Sequence, residues 1–188
     1  DGSILQNITW DSQGALQNAL LTKGNNTFHY LNNQIQTTQT PEGLLESIVW
    51  NADGQAQDAL LTDNLNNRYT FINNLITQVT LENTSSIQNI VWTTDGHIQD
   101  GLFTDPQGNQ FTISNGEVTR IVLPNSGPTV QNIVWDDNNR IKDADILYSG
   151  SRTDTFRDYA ITKVTLPTGE VFNIQDNQVT SVTLPDGS

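Results

Sequence analysis

Residues 87–124 read IQNIVWTTDGHIQDGLFTDPQGNQFTISNGEVTRIVLP. Ile87–Trp92 is a run rich in β-branched residues that stops at Thr94-Asp95-Gly96. Asp-Gly between apolar runs predicts a two-residue hairpin, because glycine takes positive φ without a steric penalty. Ile98–Thr104 is the second strand, ended by Asp105-Pro106-Gln107-Gly108. Gln110–Ser114 is the third, ended by the hairpin pair Asn115-Gly116. Glu117–Leu123 is the fourth, and Pro124 stops it because proline has no N–H for a ladder. The stretch is therefore four short antiparallel strands joined by three tight turns.

The same text is written four times. Tryptophans stand at 10, 50, 92 and 135, at spacings of 40, 42 and 43. They close the runs Gln6-Asn7-Ile8-Thr9-Trp10, Glu46-Ser47-Ile48-Val49-Trp50, Gln88-Asn89-Ile90-Val91-Trp92 and Gln131-Asn132-Ile133-Val134-Trp135. Eight positions after each indole comes Asn18, Asp58, Asp100 or Asp143. A fixed period of about 42 residues marks a repeat architecture. The repeats span about 4–43, 44–86, 87–129 and 130–188 of one all-β repeat domain. In the first copy Thr37–Thr40 is a poor fourth strand. The fourth copy is longer, with a further hairpin around Asp176-Asn177.

Each repeat is thus expected to be a four-stranded antiparallel meander, the blade of a β-propeller. The alternative is a β-solenoid or an extended stack of repeats. Runs such as Ile90-Val91-Trp92 place apolar residues on both strand faces, which predicts burial on both sides and stacked sheets. Leu184-Pro185-Asp186-Gly187-Ser188, continued into Ile4-Leu5-Gln6-Asn7, imitates the internal junction from Leu123-Pro124 to Gln131-Asn132. The expectation is a slice of a longer array, or a subunit that continues head-to-tail into the next.

Composition narrows function. The 188 residues carry 8 Lys and Arg against 21 Asp and Glu, a formal charge of −13. That charge excludes binding driven by nucleic-acid phosphates and attraction to anionic lipid. No apolar run reaches the 18 or so residues of a membrane-inserting helix. There is no Cys and no Met, so disulfides and thiol chemistry are ruled out. The chain holds 22 Asn, 16 Gln and 24 Thr, which suits strands and turns far better than helices.

Two sets of residues are candidates for a site. The column Trp10, Trp50, Trp92 and Trp135, beside Asp58, Asp100 and Asp143, offers a sugar-stacking platform once per repeat. Packing between repeats is the plainer role of such regular aromatics. The turn carboxylates Asp53, Asp95, Asp136 and Asp137 are candidates for Ca²⁺, as are Asp63 and Asp105, although turn initiation alone explains aspartate there. His29 and His97 occupy unrelated repeat positions and have no evident nucleophile or acid beside them, so no catalytic residue is assigned and no enzyme is expected. Arg140, Lys142, Arg152, Arg157 and Lys163 alternate with aspartates and read as a salt-bridged face. Together these features suggest a non-catalytic structural or adhesive module, extracellular or at a cell surface and microbial, with copies of itself as partner. The alternative is a multivalent lectin whose partners are surface glycans.

Overall fold

The computed structural model describes residues 2–188. Those residues form 18 strands and no helix. They are β1 (Ile4–Trp10), β2 (Leu16–Lys23), β3 (Asn26–Leu31), β4 (Gln34–Thr40), β5 (Gly43–Trp50), β6 (Ala56–Asp63), β7 (Arg68–Ile72), β8 (Leu75–Thr80) and β9 (Ser86–Trp92). There follow β10 (Ile98–Thr104), β11 (Gln110–Ser114), β12 (Glu117–Val122), β13 (Thr129–Trp135), β14 (Ile141–Leu147), β15 (Thr153–Arg157), β16 (Ala160–Thr165), β17 (Val171–Gln175) and β18 (Gln178–Thr183). All belong to one antiparallel sheet. Among the described residues no ladder joins β1 to β18, so the sheet is open rather than a closed barrel.

The chain divides into two units, Asp1–Ile90 and Val91–Ser188. In the first, each strand from β1 to β8 pairs with its successor in sequence. In the second, the same holds from β10 to β18. The ladder also crosses from one copy of the tryptophan motif to the next, at β4–β5 and at β12–β13. Propeller blades pack face to face and do not share a ladder. Here the copies continue edge to edge.

Neither unit has a second layer. The total accessible surface is 12,223 Å². A single compact 20.8 kDa chain would expose about 8,900 Å², and two separate globules of half that mass about 10,800 Å². Among the described residues the buried apolar side chains are only Ala19, Ile48, Ile90, Ile133 and Ala144. The largest fully buried side chain is an aspartate, Asp154. The expectation of stacked sheets fails at Val49, Val91 and Val134, which are about half exposed beside the buried isoleucines.

A repeated β-bulge shapes the first strand of each motif copy. Asn7, Ser47, Asn89 and Asn132 hold positive φ of 53–54°. Asparagine tolerates this left-handed geometry better than most residues. The ladder skips at these positions in β1, β5 and β13. The extra residue re-aims its successors in the strand, so Ile48, Ile90 and Ile133 turn inward.

The turns divide into two kinds. Asn32-Asn33, Asn73-Asn74, Asn115-Gly116, Asp158-Tyr159 and Asp176-Asn177 have positive φ at both central residues, the type I′ signature. The Asp-Gly turns are different. Only Gly54 and Gly96 have positive φ, while Asp53 and Asp95 do not. Asn51 N–H donates to Gln55 O at 2.9 Å and Gly54 N–H to Asn51 O at 3.1 Å. These are longer loops ending in a left-handed residue, not the two-residue hairpins that Asp-Gly predicts.

Candidate functional site: tryptophan seams and free edges

Trp50 and Trp135 each end the first strand of a motif copy, against the fourth strand of the copy before. The Trp50 Nε1–H donates to Ile35 O on β4 at 2.8 Å. The Trp135 Nε1–H donates to Val118 O on β12 at the same distance. Ile35 and Val118 are equivalent, each the second residue of its fourth strand. Trp92 is engaged as well. The indole therefore clips one copy to the next with a side-chain bond across the seam. Trp10 lies on β1, has no fourth strand beside it within its unit, and is 60% exposed.

The aspartate column caps turns. Asp58 Oδ1 accepts the Asn73 N–H at 2.9 Å, Asp100 Oδ1 the Asn115 N–H at 3.2 Å, and Asp143 Oδ1 the Asp158 N–H at 2.9 Å. Each carboxylate thus holds the first positive-φ residue of a type I′ turn. Asn18 instead donates to Thr9 Oγ1 at 2.9 Å. Column and turn lie fifteen residues apart in all three copies, an offset that any two repeat-equivalent positions share, so the sequence does not mark this role.

The Ca²⁺ candidates are distributed among separate turns. Asp136 is a loop cap: its Oδ1 accepts the N–H groups of Asn138 and Arg140, both at 2.9 Å. The Tyr159 hydroxyl and the Arg140 side chain donate to its other oxygen. The Arg140 N–H, first among these donors, holds the Asp136 carboxyl well below the usual carboxylate range. Asp11 and Asn51 cap their loops identically, and Thr93 does so through its hydroxyl. Asp53, Asp95 and Asp137 are exposed inside those loops. Asp63 and Asp105 cap the next turn along, each lowered in pKa chiefly by the side-chain amide of Asn67 or Asn109. Among the described residues no three His, Asp or Glu side chains converge on a metal position.

Four of the five cations expected in a salt-bridged face, all but Lys163, form ion pairs. Arg140 meets Asp136 at 2.8 Å, Lys142 meets Asp158 at 3.6 Å, Arg152 meets Asp154 at 2.7 Å and Arg157 meets Asp145 at 2.9 Å. Arg140 and Arg152 also lie over the rings of Tyr159 and Tyr148. The His97 side chain lies beside Asp95 of its own turn, and His29 sits between Leu20 and Thr37 within its ladder. Open grooves recur beside two indoles. One is lined by Tyr30, Gln34 and Trp50, the other by Glu117, Trp135 and Asn139.

The two outer strands are the remaining feature. Every residue of β1 and of β18 is exposed. Neither strand carries a charge or a proline. Among the described residues, no helix is long and apolar enough to cross a membrane.

No family model and no curated protein sequence matches the chain. Solved structures do resemble it. One is the G-box domain of the microcephaly protein CPAP, whose structural analysis suggests a role in centriole elongation. It has a TM-score of 0.43 and 12% identity, over 95% of this chain and 97% of that one. The wild-type TCP10 domain of Danio rerio CPAP has a TM-score of 0.44 and 12% identity, over 96% of this chain and 90% of that one. The same domain in complex with a peptide of Danio rerio STIL has a TM-score of 0.33 and 13% identity, over 97% and 99%.

Proposed function

We propose that the chain is a non-catalytic structural or adhesive module, extracellular or at a cell surface and microbial, that assembles by β-strand pairing at its edges. The single observation behind this reading is the pair of uncharged, exposed edge strands, β1 and β18. Natural sheets usually blunt such edges with lysine, proline or a covering loop, because a bare edge templates another strand. The chain has charge to spare for that purpose and places none there. On this reading the motif copies join edge to edge, as β4 with β5 and β12 with β13 do within each unit, and not face to face as propeller blades. The extracellular assignment rests on the Asn, Gln and Thr content and the absence of Cys. Sedimentation velocity across a concentration series, followed by negative-stain microscopy, tests the proposal. Oligomers that lengthen with concentration are expected, and a monomer at every concentration would end it.

The second reading is a multivalent carbohydrate-binding domain. The grooves beside Trp50 and Trp135 support it, since both place an indole near amide and carboxylate side chains. The indole N–H groups of both are spent on backbone carbonyls, which leaves only ring faces for a sugar. A glycan panel that quenches and shifts tryptophan emission supports the lectin; unmoved emission leaves the scaffold reading in place. Calcium belongs to this second reading only, with Asp53, Asp95 and Asp137 as exposed carboxylates, and is tested by repeating the panel with chelator.

A further inference from the structure

The internal seams share one register. Counting back from each tryptophan, the fifth residue before it faces the strand of the preceding copy. Leu45 pairs with Thr38, Ile87 with Val79, and Val130 with Ile121. The matching residue of β1 is Leu5, and among the described residues no strand pairs with it on that side. On β18 the residue equivalent to Ile121, counted from the type I′ turn before it, is Val182. It has no strand beyond it either.

Exposure shows what a neighbour would cover. Ile48, Ile90 and Ile133 are 6–8% exposed, whereas the equivalent Ile8 is 41% exposed. On the other edge Val179 is 56% exposed, while its equivalent Val118 lies half-buried under an indole. The two edges therefore lack complementary parts of one seam. β1 brings the tryptophan N–H, and β18 brings the carbonyl.

From this we infer that β18 of one copy docks against β1 of a second copy in the register of the internal seams. Ser181 then faces Gln6, Val182 faces Leu5, Thr183 faces Ile4, and the Trp10 Nε1–H donates to Val179 O. This rests on the assembly reading above and adds its partner, polarity and clip. The contact is heterologous, so each addition leaves the same two edges free, and assembly continues unless the rotation between copies closes a ring.

The chain has no cysteine, so introduced thiols report without background. Gln6→Cys and Ser181→Cys proteins are mixed and mildly oxidised. Directly opposed residues of antiparallel strands lie within disulfide reach. A Gln6–Ser181 heterodimer is expected on mixing, with none from either protein alone. Gln6→Cys mixed with Val182→Cys, whose side chain projects from the opposite face, should give none. Cross-linking within Gln6→Cys or Ser181→Cys alone, or equal linkage through Val182→Cys, overturns the register while assembly by edges stands. Assembly by sedimentation without any cross-link overturns the docking for the same reason. Monomer throughout overturns both. Trp10→Phe keeps an aromatic ring and removes the donor, and should weaken association about three- to tenfold, the range of one net hydrogen bond. Unchanged association removes the clip. Far-UV circular dichroism checks that each variant folds, and because all the sites are exposed edge positions, folding is expected to survive.

Discussion

Trp10 and Trp50 lie in the same unit, in equivalent places, and differ in whether a preceding strand is present. Replacing Trp50 by Phe deletes its hydrogen bond to Ile35 O, made at 2.8 Å, and leaves that carbonyl without its side-chain donor. A net hydrogen bond contributes about 0.5–1.5 kcal/mol. The smaller ring also returns some tens of Å² to water, on the order of 0.5 kcal/mol. Trp50→Phe should therefore cost about 1.5 kcal/mol. In a unit of roughly this length, each kcal/mol lowers the melting temperature by about 4–8 °C. Trp10→Phe removes no bond, and its cost in the monomer should stay within about 0.5 kcal/mol, as for other surface changes. Urea unfolding followed by far-UV circular dichroism, at concentrations where sedimentation shows monomer, reads both. Equal losses at the two positions would refute the seam account, and so would a neutral Trp50→Phe.

Further outcomes concern the capped turns and the buried ion pair. Asp58→Ala frees the Asn73 N–H and should cost about 1 kcal/mol, while Asp58→Asn, which keeps an accepting oxygen, should cost clearly less; urea midpoints separate them. Asp136 has a lowered folded pKa because the Arg140 N–H, the Tyr159 hydroxyl and the Arg140 side chain favour its charged form. Its contribution is present above the unfolded value of about 3.9 and is lost as pH falls through the lower folded value. The second unit should therefore weaken on acidification below about pH 4, and Asp136→Asn should flatten that pH dependence in thermal melts. Asp154 is fully buried and Arg152 about half exposed, so the pair should respond asymmetrically. Arg152→Ala leaves the buried carboxylate with the Tyr148 hydroxyl but no cation and should destabilise the unit, whereas Asp154→Leu leaves an arginine that water can reach and should cost less. Equal losses in urea would contradict this.

Local structure is legible in the sequence where local chemistry decides it. Ile98–Thr104 and Gln110–Ser114 are strands over the very residues expected, and Asn115-Gly116 is a hairpin turn with positive φ at both positions. The fourth strand of the first copy is stronger than its composition suggests. Gln34–Thr40 is a full strand laid between β3 and β5, with Thr38 and Gln39 holding ladder partners on both sides, which composition does not reveal. Sheet thickness is not legible at Ile90-Val91-Trp92. Three apolar residues in a row imply two buried faces only when the pleat is regular, and the bulge at Asn89 breaks it. The column Asp58, Asp100 and Asp143 suggests a site because its partners are turns fifteen residues away, and one residue type at one repeat position does not say which backbone it holds. The free edges of β1 and β18 show in the sequence only through the matching of Leu184-Pro185 with the internal junctions.

A sheet this thin draws its stability from local terms and from the seams. Stability in such an array is close to a sum of copy and neighbour terms, and a copy with a strand unpaired on one side lacks one of them. β1 shows that deficit directly, with Ile4, Leu5, Ile8 and Trp10 exposed where β5 and β13 are partly covered. Docking of β18 from a second copy would restore the missing term without any change in either strand. A ligand that binds only the folded state raises stability by mass action, and here the ligand is the protein itself. The melting temperature of the unit bearing β1 should therefore rise with total protein concentration. A further check is Val182→Lys, which puts a charge into the seam opposite Leu5 and should abolish the rise while leaving the dilute melting temperature nearly unchanged. A melting temperature that ignores concentration in the parent chain, measured where sedimentation shows oligomers, would mean that the oligomers form through some surface other than these edges.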